Sequence, residues 1–375
     1  MSGSEVLLFL SACTMPSLIL AWAGCWLLRR WAWQWGLVDR PGERKIHVRP
    51  MPTAGGLAIW LAVVAPFAAG QGLLAVVAMP AGDWARDLLP QFVLPHLGGL
   101  RQQAGMLWVL LAGGTLLAGL GLWDDLRGLP WWFRLLVQTL VAVATVAAGF
   151  RMTVFVDLPW LTQALSVVWI VGLINSFNML DNMDGLSGGV AAICAALLAA
   201  TVLLAPEATA GPQLFVAGLL LVLLGSLLGF LCHNWSPARI FMGDAGSYLV
   251  GYILATAALA GTFSSATAPR HAVFAPLCVL AVPLYDTISV VLIRLRAGRS
   301  PFVGDKSHFS HRLVQLGMSP PQAVLTIYLA TATCGLAALV LHQVDGTGAV
   351  VLVVSVVLTL SLVAILEAAG RRQGP

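Results

Sequence analysis

The sequence predicts an all-α, polytopic integral membrane protein with about eleven transmembrane helices. Of its 375 residues, 59% are hydrophobic and only 10% are charged, whereas a soluble domain carries about 25% charged residues. The apolar runs are long enough to cross a bilayer, which takes about 20 residues per helix. Because so few charges could not cover a water-facing surface, most of the chain is expected to face lipid. No polar stretch is long enough for a soluble domain, so residues 1–375 are predicted to form one transmembrane domain.

Apolar runs separated by polar, Gly-containing or Pro-containing loops define the predicted helices. Gly and Pro also lie inside several runs, which transmembrane helices tolerate. The first run is interpreted as a permanent helix because the residues before it lack the positive charges of a cleaved signal peptide. The eleven predicted spans lie near 4–28, 54–79, 104–122, 131–150, 160–177, 188–206, 213–232, 247–264, 273–293, 322–341 and 348–368.

Basic residues are unevenly divided between the two sets of loops that alternate along the chain. Sixteen of the 20 Lys and Arg lie in one set or, as Arg134 does, in the first turn of the helix that follows it. Because positive loops stay inside, this set is predicted to be cytoplasmic, with the N-terminus external and the C-terminus cytoplasmic. The other set has four basic residues: Arg86, Arg101, Arg151 and Arg270. The predicted cytoplasmic segments are 29–53, 123–130, 178–187, 233–246, 294–321 and 369–375.

Most carboxylates and histidines that could carry chemistry fall in the same cytoplasmic loops. A transporter would more typically place polar groups in broken helices at mid-membrane. The one-sided distribution therefore favours an enzyme that works at the cytoplasmic boundary, and an ion-coupled transporter stays as the alternative from another class. The residues in question are Asp39, Glu43, His47, Asp124, Asp125, Asp181, Asp184, His233, Asp244, Asp305, His308 and His311.

Asp124 and Asp125 form an adjacent pair where the third span meets the cytoplasm, shortly before Pro130 opens the next helix. Adjacent carboxylates attract a divalent cation, or raise one another's pKa so that one can act as a base. A solvated pair of loop residues explains this feature equally well.

A second polar stretch, residues 175–187, follows the fifth span. If the helix continues, Asn178, Asp181 and Asp184 share one face at i, i+3 spacing. The stretch contains no Lys or Arg, so a cation or a ligand must balance its carboxylates. A polar helix cap is the alternative.

Asp244 lies between Gly243 and Gly246, and Ser247 can cap the helix that begins there. A flexible backbone around one carboxylate, beside a helix N-terminus, suits a metal–phosphate site. Simple capping of the helix is the alternative.

Two basic loops and one intramembrane carboxylate complete the candidates. The loop at 304–313 places Lys306, His308, His311 and Arg312 close together, which suits a diphosphate. The H-x-x-H spacing also allows zinc, although no further zinc ligands are near in sequence, and a plain basic loop remains an alternative. Lys45 lies in the loop at 37–50, which serves topology or binds an anion. Asp286, inside the ninth span, is a functional candidate by default or pairs with Arg294 or Arg134.

In this order the motifs resemble those of the polyprenyl-phosphate N-acetylhexosamine-1-phosphate transferase family. They are R-K-x-H, D-D-x-x-G-L-P, N-x-x-N-x-x-D-x-x-D-G, F-M-G-D-x-G-S, P-x-x-D-T and a histidine loop, between residues 37 and 313. The resemblance implies transfer of a sugar-1-phosphate, GlcNAc-1-phosphate being favoured, from a UDP-sugar to polyprenyl (undecaprenyl) phosphate with release of UMP. It also implies Mg²⁺ (or Mn²⁺), an inner (plasma) membrane location and a role in starting lipid-linked glycan synthesis. It implies no nucleic-acid partner and is compatible with a homodimer.

The resemblance also implies roles for individual residues. Asp244 would ligate the metal. Catalytic roles would fall to Asp124 and Asp125, which bind or deprotonate the polyprenyl phosphate, and to Asp181 and Asp184, which line the nucleotide site. Substrate-binding roles would fall to Lys45, Asn178, Asn234, Phe241, His308, His311 and Arg312.

The chain departs from the family pattern in two places. Most members read D-G-x-D-G where residues 181–185 are Asp-Asn-Met-Asp-Gly, which leaves the local turn open. The triple histidine of the phospho-N-acetylmuramoyl-pentapeptide translocases is replaced by the sequence of residues 307–312. This difference and the eleven spans favour the GlcNAc-1-phosphate branch, with pentapeptide-sugar transfer as the alternative. CDP-alcohol phosphotransfer is disfavoured because its D-G-x-x-A-R signature is not found.

Overall fold

The structure is a computed structural model in which helices dominate. It describes residues 2–40, 50–79, 84, 87, 89, 93–94, 97–152, 158–204, 213–261, 269–302, 305 and 307–371, with side-chain burial given up to residue 367. Within these residues the only strands are β1 (Val38–Asp39) and β2 (Met51–Pro52), which pair antiparallel. The predicted all-α class is therefore confirmed.

Each of the eleven predicted apolar runs overlaps a helix. In chain order the helices are α1 Gly3–Trp35, α2 Gly55–Val77, α3 Leu97–Gln102, α4 Ala104–Arg127, α5 Trp131–Ala147, α6 Pro159–Leu180, α7 Leu186–Leu204, α8 Leu214–Asn234, α9 Gly243–Ala260, a 3₁₀ turn Arg270–Phe274, α10 Ala275–Val279, α11 Ala281–Arg296, α12 Phe309–Gln315, α13 Pro320–Val340 and α14 Gly346–Arg371.

Eight of the described helices, α1, α2, α4, α6, α7, α8, α13 and α14, are each long and apolar enough to cross a membrane. A ninth crossing is obtained if 270–279 and α11, which meet at a 67° bend, count as one span. α5 has only 17 residues, and α9 carries Asp244 in its first turn. The polytopic membrane fold is therefore confirmed, and the count of eleven crossings stays a prediction.

The helices divide into a buried centre and a lipid-facing periphery. α7, α8 and α9 bury most of their residues, including the aromatic rings of Tyr248 and Tyr252. α1 and α14 lie outside them and expose large apolar side chains, such as Leu358 and Ile365 on α14. This gradient is expected where the solvent is lipid, because an apolar exposed face then costs nothing.

One end of the bundle is joined by backbone hydrogen bonds between segments far apart in sequence. Phe241 N–H donates to Pro52 O at 2.7 Å, and Gly55 N–H donates back to Phe241 O at 3.0 Å. Gly56 N–H donates to Met242 O at 2.8 Å. These bonds hold the start of α2 against the start of α9, where the polar residues collect.

Candidate active site

Asp124, in the last turn of α4, has both carboxylate oxygens occupied. One oxygen accepts the Leu129 backbone N–H at 2.6 Å, which fixes the loop to α5. The other accepts from an Arg134 guanidinium nitrogen at 2.7 Å and from the Tyr248 hydroxyl at 3.1 Å. The side chain is buried and its bonds hold α4, α5 and α9 together, while its predicted role at the polyprenyl phosphate stays a prediction.

Asp125 points to the N-terminus of α9. Its two oxygens accept the backbone N–H groups of Asp244 at 3.1 Å and Ala245 at 3.4 Å. A carboxylate at this position is stabilised by the orphan N–H groups and the positive end of the helix dipole. The approach is close enough that a Cβ on Gly243, where φ is +71°, would lie 2.7 Å from an Asp125 oxygen.

Asp244 joins α9 to α6. One of its oxygens accepts the Asn178 amide at 2.6 Å, and the same amide nitrogen lies 3.1 Å from the Ser247 hydroxyl. The other oxygen lies 4.0 Å from Arg134. Asn178, predicted to bind substrate, thus orients the predicted metal ligand.

The expected helical stripe through 178, 181 and 184 is wrong. α6 ends at Leu180, Asp181 is its C-cap with ψ of 58°, and Gly185 follows with φ of +74°. The chain turns at these residues, and α7 begins directly after Gly185, at Leu186. Asn182, the departure from the family pattern, uses its side chain in this turn, since its amide donates to Met179 O at 2.9 Å.

Asp181 nevertheless faces Asp244. Burial raises the pKa of its carboxyl to about 7, and repulsion from Asp244 and Asp184 adds to this, while a hydrogen bond from the Gly243 backbone opposes it. A carboxyl in this situation ionises more easily once a cation is near. A divalent ion near Asp181 and Asp244 would therefore stabilise the ionised form of both carboxylates.

Asp184 and Asn234 hold the loop that crosses the site. Asp184 accepts the Ala238 N–H at 3.0 Å. The Asn234 amide oxygen accepts from Gly185 N–H at 3.0 Å, and its NH₂ donates to Ile240 O at 2.8 Å. Asn234 is buried, and its amide holds two backbone segments together. Its predicted contact with a nucleoside stays a prediction. The predicted stacking of half-buried Phe241 on uracil also stays a prediction.

The histidine segment, residues 307–315, reaches the same end of the bundle. His308 Nδ1 lies 2.9 Å from an Asp286 oxygen, and the Phe309 N–H donates to the other oxygen at 2.6 Å. The Ser310 hydroxyl donates to the Asn182 side chain at 2.6 Å, which joins the segment to the 181–185 turn. His311 lies beside His308, with the ring centroids 6.3 Å apart.

The expected pairing of Asp286 with Arg294 or Arg134 is wrong. Arg134 binds Asp124 at 2.7 Å and Arg294 binds Asp305 at 2.9 Å, whereas Asp286 and Arg294 are separated by about two turns of α11. Although partial burial opposes it, hydrogen bonds from Arg294 and Ser307 lower the pKa of Asp305 to about 2.

Three predicted basic contacts remain predictions. Arg312 is buried, with its guanidinium 2.8 Å from the Ser289 hydroxyl and 3.3 Å from Glu367, so it faces the protein interior. Lys45 and Lys306 lie outside the residues that the structure describes.

Comparison with known proteins identifies the family of this chain. Residues 107–262 match glycosyl transferase family 4. The probable undecaprenyl-phosphate N-acetylglucosaminyl 1-phosphate transferase of Bacillus subtilis (strain 168) is 32% identical, over 84% of this chain and 80% of the relative. The chain belongs to the polyprenyl-phosphate N-acetylglucosamine-1-phosphate transferase family.

Two further relatives of this family are similar over most of their length. The decaprenyl-phosphate N-acetylglucosaminephosphotransferase of Mycobacterium leprae (strain TN) is 36% identical over 84% of this chain and 80% of the relative. The undecaprenyl-phosphate alpha-N-acetylglucosaminyl 1-phosphate transferase of Yersinia pestis is 30% identical over 84% of this chain and 79% of the relative. The resemblance read from the motifs is therefore confirmed, and the protein is a multi-pass membrane transferase.

The donor set around Asp244 fits an open magnesium site. Within the described residues no three His, Cys, Asp or Glu side chains are arranged as a closed metal cage. Mg²⁺, however, is usually held by one or two carboxylates, with waters and substrate phosphates as the other ligands. Asp181 and Asp244 supply this pair. The excess of carboxylates near Arg134 also favours a cation.

Several residues of the site were not predicted to act there. Arg134 entered through the topology count and as a possible partner of Asp286, and Asn182 entered only as a departure from the family pattern. Tyr248, Ser310 and Glu367 were not singled out. The position of Arg134 could have indicated its role, because it lies one turn after Pro130 and so faces the end of the preceding helix. The other contacts join segments more than 80 residues apart, which a single sequence does not reveal.

Proposed function

We propose that this protein transfers GlcNAc-1-phosphate from UDP-GlcNAc to a polyprenyl phosphate such as undecaprenyl phosphate, with Mg²⁺, and releases UMP. The observation that carries the proposal is the meeting of Asp125, Asp181 and Asp244 with Arg134 at one end of the bundle. The relatives' names support the sugar and the lipid. The site supports phosphoryl transfer, in which positioning and charge neutralisation do most of the work.

The cytoplasmic face of the plasma (inner) membrane is the proposed location of the site. The loops that converge there belong to the set that holds 16 of the 20 Lys and Arg. Positive loops stay inside, so the N-terminus would be external and the C-terminus cytoplasmic. A soluble nucleotide-sugar would reach this face from the cytoplasm, while the lipid substrate would arrive from the bilayer.

In the proposed reaction an oxygen of the polyprenyl phosphate attacks the β-phosphorus of the UDP-sugar. The bond between the β-phosphorus and the bridging oxygen breaks, and UMP leaves with that oxygen. Both substrates are anions, and Mg²⁺ bound at Asp181 and Asp244 would offset their repulsion. Arg134, held by Asp124 at 2.7 Å, would present its remaining N–H groups to a phosphate.

The histidine segment would supply donors to the transferring phosphate. Asp286 binds His308 through Nδ1, so the Nε2 atom is the one left to face a ligand. Fixing one nitrogen with a carboxylate sets the orientation and tautomer of the ring. His311 lies next to it as a second candidate donor.

The test is a transfer assay with detergent-purified protein. It contains UDP-GlcNAc labelled in the sugar, undecaprenyl phosphate and Mg²⁺. We expect label in the lipid phase and free UMP, abolished by EDTA and restored by Mg²⁺ or Mn²⁺. Asp244→Asn should lose this activity while its melting temperature changes little. Asp345→Asn, a carboxylate-to-amide change at the start of α14, is the matched control and should remain active. Full activity of Asp244→Asn would refute the metal assignment.

A donor panel separates the branches of the family. UDP-GlcNAc should be used in preference to UDP-MurNAc-pentapeptide. Transfer of the pentapeptide-bearing sugar at a comparable rate would contradict the proposed donor but not the reaction type. Uptake of substrate into sealed vesicles without lipid-linked product would contradict the reaction itself.

A further inference from the structure

Glu367 is a buried carboxylate near the end of the last helix. α14 is otherwise almost entirely apolar and exposes most of its large side chains, yet the Glu367 side chain is only 5% exposed. It accepts the Tyr285 hydroxyl at 2.9 Å and lies 3.3 Å from Arg312 Nε. An ionised carboxylate in such surroundings is costly unless it is paired.

The partner of Glu367 belongs to the histidine segment. Arg312 is 4% exposed, donates to the Ser289 hydroxyl at 2.8 Å and lies 4.0 Å from Asp286. Asp286 is also the carboxylate that holds His308. One guanidinium therefore connects α14 with the group that orients the active-site histidine.

We propose that Glu367 is a positioning residue: it latches α14 to Arg312 and thereby holds the histidine segment in its active-site orientation. The proposal rests on the proposed function, because it assigns the histidine segment a role in that reaction. It makes the last helix a part of the catalytic unit rather than only a membrane anchor.

The geometry explains what the latch prevents. Without the Glu367 charge, the nearest remaining carboxylate to Arg312 is Asp286 at 4.0 Å. Arg312 would move toward the Asp286 oxygen that accepts the Phe309 backbone N–H, and would thereby disturb the carboxylate that holds His308. Loss of a group that orients a ligand-binding side chain typically costs about 10- to 100-fold in activity. We expect this loss in kcat, because the histidine orientation matters most when phosphate charge develops, with a smaller change in KM for polyprenyl phosphate.

Glu367→Gln is the main variant, because the amide oxygen can still accept from Tyr285 while the charge is removed. Its matched control is Asp345→Asn, the same type of change at the other end of α14, which should behave as wild type. Glu367→Asp, which keeps the charge on a shorter side chain, should recover part of the activity. Tyr285→Phe removes one hydrogen bond of Glu367 and leaves its charge. It replaces Glu367→Gln in the assays if that variant does not fold.

A double-mutant cycle tests whether Glu367 acts through the histidine. If it does, Glu367→Gln in a His308→Ala background should lower kcat much less than in the wild type, since the residue it positions is already gone. Equal fold-losses in both backgrounds would overturn the proposal. Unchanged kcat in Glu367→Gln would overturn it as well.

Thiol labelling gives a readout that does not depend on activity. Leu313 is buried on α12, so a Leu313→Cys reporter should react slowly with a maleimide. Glu367→Gln should accelerate labelling at 313 but not at buried Cys194, as measured for each site by mass spectrometry. Equal acceleration at both sites would indicate general destabilisation and overturn the latch. If wild type shows no transfer, the proposed function fails, whereas the labelling still reports on the latch.

Discussion

Gly121 sets the distance between α4 and α9, one turn before Asp125. A Cβ at this position would lie 2.3 Å from the backbone carbon of Asp244 and 2.4 Å from the backbone nitrogen of Ala245. Neither is the end of a flexible side chain, so a rotamer change cannot relieve the clash. Gly121→Ala must therefore push the two helices apart by about 1 Å, which brings the contact to the ordinary distance of 3.4 Å.

The consequence for the site can be worked out from the Asp125 bonds. The hydrogen bonds from Asp244 N and Ala245 N to Asp125 already measure 3.1 and 3.4 Å, so a further 1 Å breaks both. Overpacking costs typically about 1–3 kcal/mol of stability. A displacement of about 1 Å in a catalytic site can cost roughly 100-fold in rate. We expect Gly121→Ala to lose about 100-fold in transfer activity although no functional group is removed.

The transfer assay with labelled UDP-GlcNAc measures this loss, together with melting temperature in detergent. Gly119→Ala is the control, since a Cβ there meets no atom within 4 Å. It should keep wild-type activity and stability. If Gly121→Ala were as active as Gly119→Ala, the close approach of α4 to α9 could not be what assembles the acidic site.

Three further predictions follow from individual contacts. Arg134→Gln should reduce transfer activity about 10- to 100-fold, because buried Asp124 loses its charged partner and the site becomes more negative. Titration with polyprenyl phosphate should show a raised KM for this substrate. Asn234→Ala should lower the free energy of unfolding by about 1–3 kcal/mol, as two buried backbone groups lose their partners, and denaturation in detergent measures this. Because burial and nearby Asp244 raise the pKa of Asp181 from 3.8 to about 7, the folded protein retains a proton that the unfolded chain releases. The contribution of Asp181 to stability without Mg²⁺ should therefore fall as pH rises from about 4 to 7 and level off above. Melting temperatures of Asp181→Asn should show a shallower slope than those of the wild type over this range.

The fold was largely predictable because lipid imposes a simple pattern. A helix in a bilayer must be apolar over its length, so each of the eleven apolar runs coincides with a helix, whereas the short helices α3 and α12 were not predicted. The pattern could not predict the 67° bend between 270–279 and α11, since both halves are apolar. It also could not reveal that α6 stops at Leu180, because Asn178 and Asp181 fit a helix and a cap equally well.

The site was predictable as a set of residues but not as a set of roles. Charge placement and motif order indicated that Asp124, Asp125, Asp181 and Asp244 meet, and the structure brings them together. Which oxygen bonds which partner depends on helix packing. Asn234 illustrates the limit: an asparagine at a helix end is suited to contact a ligand, yet here both ends of its amide bind the protein backbone.

Asp124 and Asp125 show how adjacent and chemically identical residues acquire different roles. Successive residues on a helix point about 100° apart. Asp124 therefore faces Arg134 and Tyr248, while Asp125 faces the first N–H groups of α9. The first carboxylate fixes the Arg134 guanidinium 4.0 Å from Asp244, and the second fixes the helix end that carries Asp244. The pair thus orients one positive and one negative group toward the same point, the arrangement that the proposed reaction of a metal-bound diphosphate with a lipid phosphate would require.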